Sequence, residues 1–273
     1  MLRQRRSFLL LCCFAAGAAS AAGAEEPPMD AMEATFKIAN EDSTATCFVI
    51  ARPGAAEASR RELILVTAAH VFKSMTGDEC RIVLHEGRAD GTFVRSEVPL
   101  KIRSAGKPLW VRHPDADIAA MKLELPAGRA IAALDVDQLA GEPDVGSGKL
   151  RSADEVWVLC FPAQLESSSA GFPVLRRGTV ASFPLTPVDR NKTFLVDFTT
   201  FGGDSGAPVV VCDRNAPDAA VQRTSVVGLV TGMHRETTKS ISPIEERTVH
   251  RPLGLAIVVH AEFIRQTVDR VPH

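Results

Sequence analysis

Phe201-Gly-Gly-Asp-Ser-Gly-Ala-Pro208 sets a serine between glycines, behind an acid and ahead of the apolar run Val209-Val-Val211. Those residue types suit a nucleophile on a tight turn, because glycine admits left-handed backbone and close approach to a substrate. On such a turn the amides of Gly203 and Ser205 converge on one point, where a developing oxyanion would sit. A serine hydroxyl is a weak nucleophile alone, so the chemistry needs a base and an orienting acid. Both lie upstream. Thr67-Ala-Ala-His70 follows the apolar run Leu63 to Val66 and places His70 where a buried strand ends. His113-Pro-Asp-Ala-Asp-Ile-Ala-Ala120 offers Asp115 and Asp117 with one strand parity. Asp117 abuts the apolar Ile-Ala-Ala and is the better-fixed acid of the two.

The motifs Thr-Ala-Ala-His, Asp-Ile-Ala and Gly-Gly-Asp-Ser-Gly-Ala-Pro, in the order His, Asp, Ser, resemble the signatures of the trypsin/chymotrypsin-like serine peptidases. The resemblance implies an all-β fold: two six-stranded antiparallel β-barrels, chymotrypsin-like, with a C-terminal α-helix. The site would lie in the cleft between them, with His70 and Asp117 from the first half and Ser205 from the second. His70 would act as general base and then acid, Asp117 would hold the imidazole, and Gly203 and Ser205 would form the oxyanion hole. The implied activity is peptide-bond hydrolysis through an acyl-enzyme, with a polypeptide substrate and no cofactor. By position, the substrate pocket would comprise Thr199, Thr231, Gly232, Met233 and Gly254. Thr199 falls where trypsin carries an acidic pocket base, so small or medium uncharged residues are expected over Lys or Arg. Trypsin-type zymogens free an Ile-Val-like N-terminus that pairs with the acid before the serine. None follows the leader here, so Asp204 is expected to find an internal donor or solvent.

The elements that must position these groups read as short β-like runs broken by Gly, Pro and charge. In the first half they are 45–51, 63–67, 81–85, 93–102, 110–112 and 118–123; in the second, 156–161, 175–183, 193–198, 207–212, 225–231 and 254–259. Phe263, Ile264 and Val268 share one face of a terminal helix. Thr237 to Arg251 mixes charge and proline and reads as a loop beside the site. The organisation is a leader over 1–24, a first barrel over 25–125, a linker over 126–149, and a second barrel with its helix over 150–273.

Arg3, Arg5 and Arg6, the apolar stretch Phe8 to Ala16 and the small residues Ala22-Gly-Ala24 form a secretory signal peptide. The chain is therefore expected to be exported, to periplasm or medium, without stable membrane insertion after cleavage. Its formal net charge of −2 carries no dense basic patch for nucleic acid. Four cysteines follow the leader, and an even number in an exported chain favours disulfides, with three connectivities possible. Pairs Cys47–Cys80 and Cys160–Cys212 each stay within one half, as the family's bridges do.

Rival chemistries fit less well. An α/β-hydrolase, with His234 or His260 as base, needs a helix after the serine. Here proline and β-branched residues follow. His113, Asp115 and Asp117 alternate like metal ligands, but Pro114 interrupts the strand and no further ligand is evident, so no metal is expected. The close spacing of a zinc pair is also missing. His85, His250 and His273 carry no assigned chemistry. A non-catalytic binding module on the same fold, or an esterase using the same three residues, stays open at this level.

Overall fold

The computed structural model describes residues 28–54, 61–126, 128–146, 148–212, 224–241 and 246–273. The leader expected over residues 1–24 lies outside the described residues. Helix α1 (Met29–Glu33) leads into β1 (Thr35–Ala39), β2 (Thr44–Pro53) and β3 (Arg61–Thr67), followed by helix α2 (Ala69–Ser74). Then come β4 (Glu79–Gly87), β5 (Phe93–Lys101), β6 (Arg103–Ser104), β7 (Lys107–Pro108), β8 (Val111–Arg112), β9 (Ala119–Lys122) and β10 (Leu134–Asp135). The second half contains β11 (Glu155–Cys160), β12 (Val174–Val180), β13 (Thr193–Asp197), β14 (Pro208–Cys212), β15 (Thr224–Ile241), β16 (Glu246–His260) and helix α3 (Ala261–Val268).

The second half is a closed barrel in the order β11-β12-β13-β16-β15-β14. Val209, Val210 and Val211 suit the pleated, buried β14, and Pro208 takes its first position, where no ladder donor is lost. The first half is an open eight-stranded sheet, β5-β4-β1-β2-β3-β9-β8 with β10 also on β2. It is not the closed six-stranded barrel implied by resemblance. Pro108 and Pro114 bracket the run around Trp110 and leave β8 only two residues, too short to carry a second ladder. The strand Thr35–Ala39 was not anticipated; it inserts between β2 and β4.

The segment between the halves is built into both of them. Leu134 and Asp135 pair in parallel with Ile50 and Ala51, on the stretch of β2 that β1 leaves uncovered. A few residues on, Ala140 N–H donates to Val226 O at 2.9 Å. Helix α3 buries Phe263, Ile264 and Val268, as its periodicity implies. Its end is held by Arg52 of β2, which donates to Val268 O and Val271 O at 2.8 Å each.

Two expectations are corrected. The described parts of Thr237 to Arg251 are strand rather than loop: β15 and β16 continue as a ribbon paired from Arg235↔Pro252 to Ile241↔Glu246. Cross-strand pairs such as the β-branched Thr238↔Val249, and Thr248 opposite Lys239, carry that pairing past the barrel. Nor are there disulfides among the described residues; Cys47, Cys80, Cys160 and Cys212 are all buried thiols. Cys47 on β2 and Cys80 on β4 are separated by β1. Two strand spacings are roughly 9–10 Å, beyond the reach of about 7 Å between bridged Cα atoms. Cys160 and Cys212 lie on paired strands, but the register that sets Trp157 opposite Val210 displaces them along the strands. Burial raises the Cys80 thiol to about 12 and pushes Cys47 and Cys160 up as well.

Candidate active site

Strand β3 ends at Thr67, and the chain turns through the fully buried Ala68 and Ala69 into α2. His70 is thus the second residue of a short helix rather than the last of a strand. Ala69 N–H donates to Asp117 O at 3.3 Å, and His70 N–H donates to Asp117 Oδ1 at 2.9 Å. The histidine's own backbone therefore fixes the carboxylate. The ring spans the gap to the other half: Nδ1 lies 2.5 Å from Asp117 Oδ2, and Nε2 lies 2.9 Å from Ser205 Oγ. With a carboxylate accepting at Nδ1, the ring proton sits there and Nε2 is left to accept from the hydroxyl. Burial alone would raise the Asp117 carboxyl. The hydrogen bond and charge of His70, its amide and Lys73 outweigh that and hold it below the usual carboxylate range. Asp115 does not join this chain; it is exposed, with Lys192 Nζ at 4.0 Å. His113 is buried against Phe263 and bonded to Gln266, away from the site.

The serine turn is gripped from both halves. Thr46 of β2 donates from its amide to Ser205 O at 3.0 Å and from its hydroxyl to Gly203 O at 2.7 Å. Thr67, just before the histidine motif's alanines, donates to Thr46 O at 2.7 Å. Gly206, at φ +89°, packs so closely that a Cβ would lie 2.0 Å from Thr46 O. Gly203, at φ +103°, would set a Cβ 2.1 Å from Phe161 O. Both positions therefore require glycine. Neither the Gly203 nor the Ser205 amide donates to a described residue.

Asp204 is almost fully buried, at 1% exposure. Its Oδ2 accepts from Phe201 N–H at 2.9 Å and from Arg176 Nη1 at 3.3 Å. Burial raises its carboxyl, and the Phe201 amide, the Cys160 thiol and Arg176 counter that only in part. Arg176 lies over the Phe198 ring, 4.1 Å from its centroid, and donates to Thr199 O at 2.7 Å. So the internal donor for Asp204 comes from β12.

The pocket residues named from sequence line up beside this turn. Gly206 N–H donates to Val230 O at 2.8 Å, which seats Thr231, Gly232 and Met233 of β15 next to the serine. Gly232 pairs with Ile257 and Met233 with Ala256. Phe198 N–H donates to Gly254 O at 2.8 Å, and a Cβ on Gly254 would meet Thr199 Oγ1 at 3.7 Å. Sequence reasoning missed Thr46, Arg176 and the turn at Phe161 to Gln164. Only Arg176 left a signal: an orphan acid at Asp204 asks for a cation on a neighbouring strand, and Leu175-Arg-Arg177 supplies one.

Among the described residues, no helix is long and apolar enough to cross a membrane. A search of curated proteins found no match. Among solved structures, the chain is similar to the inactive form of Rv3671c from M. tuberculosis H37Rv carrying a serine-to-alanine mutation. That match has 16% identity, covers 90% of each chain and has a TM-score of 0.47. It is also similar to an inactive form of the Rv3671c protease, at 17% identity over 90% of this chain and 93% of that one, with a TM-score of 0.45. The model of the trypsin-like peptidase domain matches residues 45–216. That span is well over half of the chain and runs from the threonine-bearing β2 past the serine turn: the protein belongs to the trypsin-like peptidase domain family.

Proposed function

We propose that the protein is an exported serine endopeptidase in which Ser205, His70 and Asp117 cleave peptide bonds through an acyl-enzyme. The observation that carries this reading is the continuous hydrogen-bonded path from Asp117 through His70 to Ser205. It joins His70 and Asp117 of the first half to Ser205 of the second. In the first step Oγ bonds to the scissile carbonyl carbon while its proton passes to His70 Nε2. Asp117 steadies the resulting imidazolium. The carbonyl oxygen takes the negative charge and is held by the Gly203 and Ser205 amides. The C–N bond then breaks as His70 returns the proton to the leaving amine. Water repeats the sequence and releases the acid.

Selectivity follows from Thr199 and Arg176. The pocket end carries a threonine where a cationic side chain would need a carboxylate, and a guanidinium sits at its carbonyl. Small or medium uncharged residues are the preferred side chains N-terminal to the cut. Arg176 and the Phe201 amide bond one oxygen of Asp204, which supports maturation without a newly freed N-terminus. Export rests on the basic and apolar leader over residues 1–24. Labelling by a fluorophosphonate tests the catalytic assignment. The wild type labels covalently, and both Ser205→Ala and His70→Ala abolish the label. An unlabelled wild type overturns the reading.

A further inference from the structure

The peptide joining Gly202 to Gly203 decides whether an oxyanion hole exists at all. Because a trans peptide sets its C=O and N–H on opposite sides, the direction of the Gly202 carbonyl dictates that of the Gly203 amide. Here the carbonyl is taken: Ala163 N–H donates to Gly202 O at 2.7 Å. The Gly203 N–H therefore faces the other way. From behind, Phe161 O presses on the Gly203 α-carbon so closely that only glycine fits.

The turn that delivers this contact is itself strained. Ala163 has φ 49° and ψ 35°, and Gln164 has φ 71°. Two successive non-glycine residues are thus left-handed, a conformation costly for side chains with a Cβ. Within the turn, Gln164 N–H donates to Phe161 O at 3.0 Å and Leu165 N–H to Pro162 O at 2.9 Å. The Ala163 amide is left to point outward, onto Gly202. Strain of this kind persists only where the surroundings over-determine it. They do so here from the opposite half. Glu166 is tied to Lys37 of β1 and accepts from Arg95 Nε of β5 at 3.0 Å. Phe172, at the loop's far end, stacks on His85 of β4, with centroids 4.0 Å apart.

Resting on the peptidase reading above, we propose that Ala163 is a positioning residue whose backbone amide holds the Gly202–Gly203 peptide in its hole-forming orientation. The 161–172 loop is then a strut that ties this orientation to its seat on the first sheet. The side chain of Ala163 matters only through the backbone conformation it permits. Glycine at this position keeps the amide and relieves the strain. Valine keeps the amide but resists the left-handed region, and proline removes the N–H altogether.

Ala163→Gly, Ala163→Val and Ala163→Pro are compared with wild type on a peptide p-nitroanilide bearing a small uncharged residue before the cleaved bond. Inhibition by the matching peptide aldehyde, which forms a tetrahedral adduct needing the hole, is measured alongside. Ala163→Gly retains wild-type kcat. Ala163→Pro loses about 10²-fold in kcat and in aldehyde affinity, close to the loss of one oxyanion donor, while KM changes little. Ala163→Val falls between them. The inference is overturned if folded Ala163→Pro keeps its kcat and aldehyde affinity, or if KM rises in step with the fall in kcat. Should Ala163→Pro fail to fold, Ala163→Val decides on the same two readouts. An unlabelled wild type, by contrast, refutes the peptidase reading and not the strut.

Discussion

His260 should make the fold acid-sensitive by an amount that can be worked out. It closes β16 at the start of α3, is 1% exposed, and packs on Phe194 with centroids 4.7 Å apart. Among the described residues neither ring nitrogen has a hydrogen-bond partner. Burial therefore pushes its pKa from 6.5 down to about 4. Above pH 6.5 the ring is neutral in both states and adds nothing against folding. Below that, the unfolded chain takes up a proton that the folded chain refuses until about pH 4, so stability is lost as the medium acidifies. At about 1.4 kcal/mol per pH unit, that interval removes roughly 3 kcal/mol. Urea unfolding, followed by the fluorescence of Trp110 and Trp157 in a Ser205→Ala background, measures it without self-cleavage. His260→Leu keeps the volume and removes the titrating group. His85 also titrates low because of burial, so the informative quantity is wild type minus variant. That difference should move by roughly 3 kcal/mol against the wild type between pH 7 and pH 4. A difference independent of pH, or one moving the other way, refutes the reasoning.

Arg176→Met should leave the Asp204 carboxylate buried without its cation and cost about 3–5 kcal/mol in urea unfolding. Adding Asp204→Asn should restore much of that, and equal instability of single and double variants would argue against the pairing. In a peptide library read by mass spectrometry, cleavage should follow small or medium uncharged residues; strong Lys/Arg selectivity would contradict the role given to Thr199. The thiols of Cys47, Cys80 and Cys160 should resist iodoacetamide in the native protein and react after unfolding. Rapid native alkylation at neutral pH would show that burial does not protect them.

The meeting of His70, Asp117 and Ser205 was legible because it is announced locally: each sits in a short motif whose neighbours reveal its environment. The terminal helix was legible for the same reason, through Phe263, Ile264 and Val268. What stayed hidden depends on pairing between distant segments. Thr46 is an ordinary strand threonine until the fold brings Gly203 O within its reach. Ala163 looks like any alanine after proline, and nothing in Phe161-Pro-Ala-Gln164 announces a left-handed turn. The expected bridges failed through strand order and register: membership of one half does not reveal that β1 intervenes between Cys47 and Cys80, or that Cys160 and Cys212 are displaced along their strands. The closed first barrel failed through strand length, since two prolines trimmed the run around Trp110.

The ribbon formed by the outer parts of β15 and β16 has a consequence for how copies of this protein meet. From Arg235 to Ile241 and from Glu246 to Pro252 the strands pair only with each other among the described residues, so both flanks present unpaired backbone groups. Such flanks invite a strand from another molecule. Here Arg235 and Lys239 line one strand while Arg247 and Arg251 line the other, all exposed. A second ribbon meets mostly like charge there, four bases against the two acids Glu236 and Glu246. Lys239→Thr with Arg247→Thr should therefore raise self-association at low ionic strength, read by sedimentation velocity. Unchanged behaviour of that variant would mean that the bases do not guard the ribbon. On this account the bases of the ribbon act against its becoming the first rung of an intermolecular sheet.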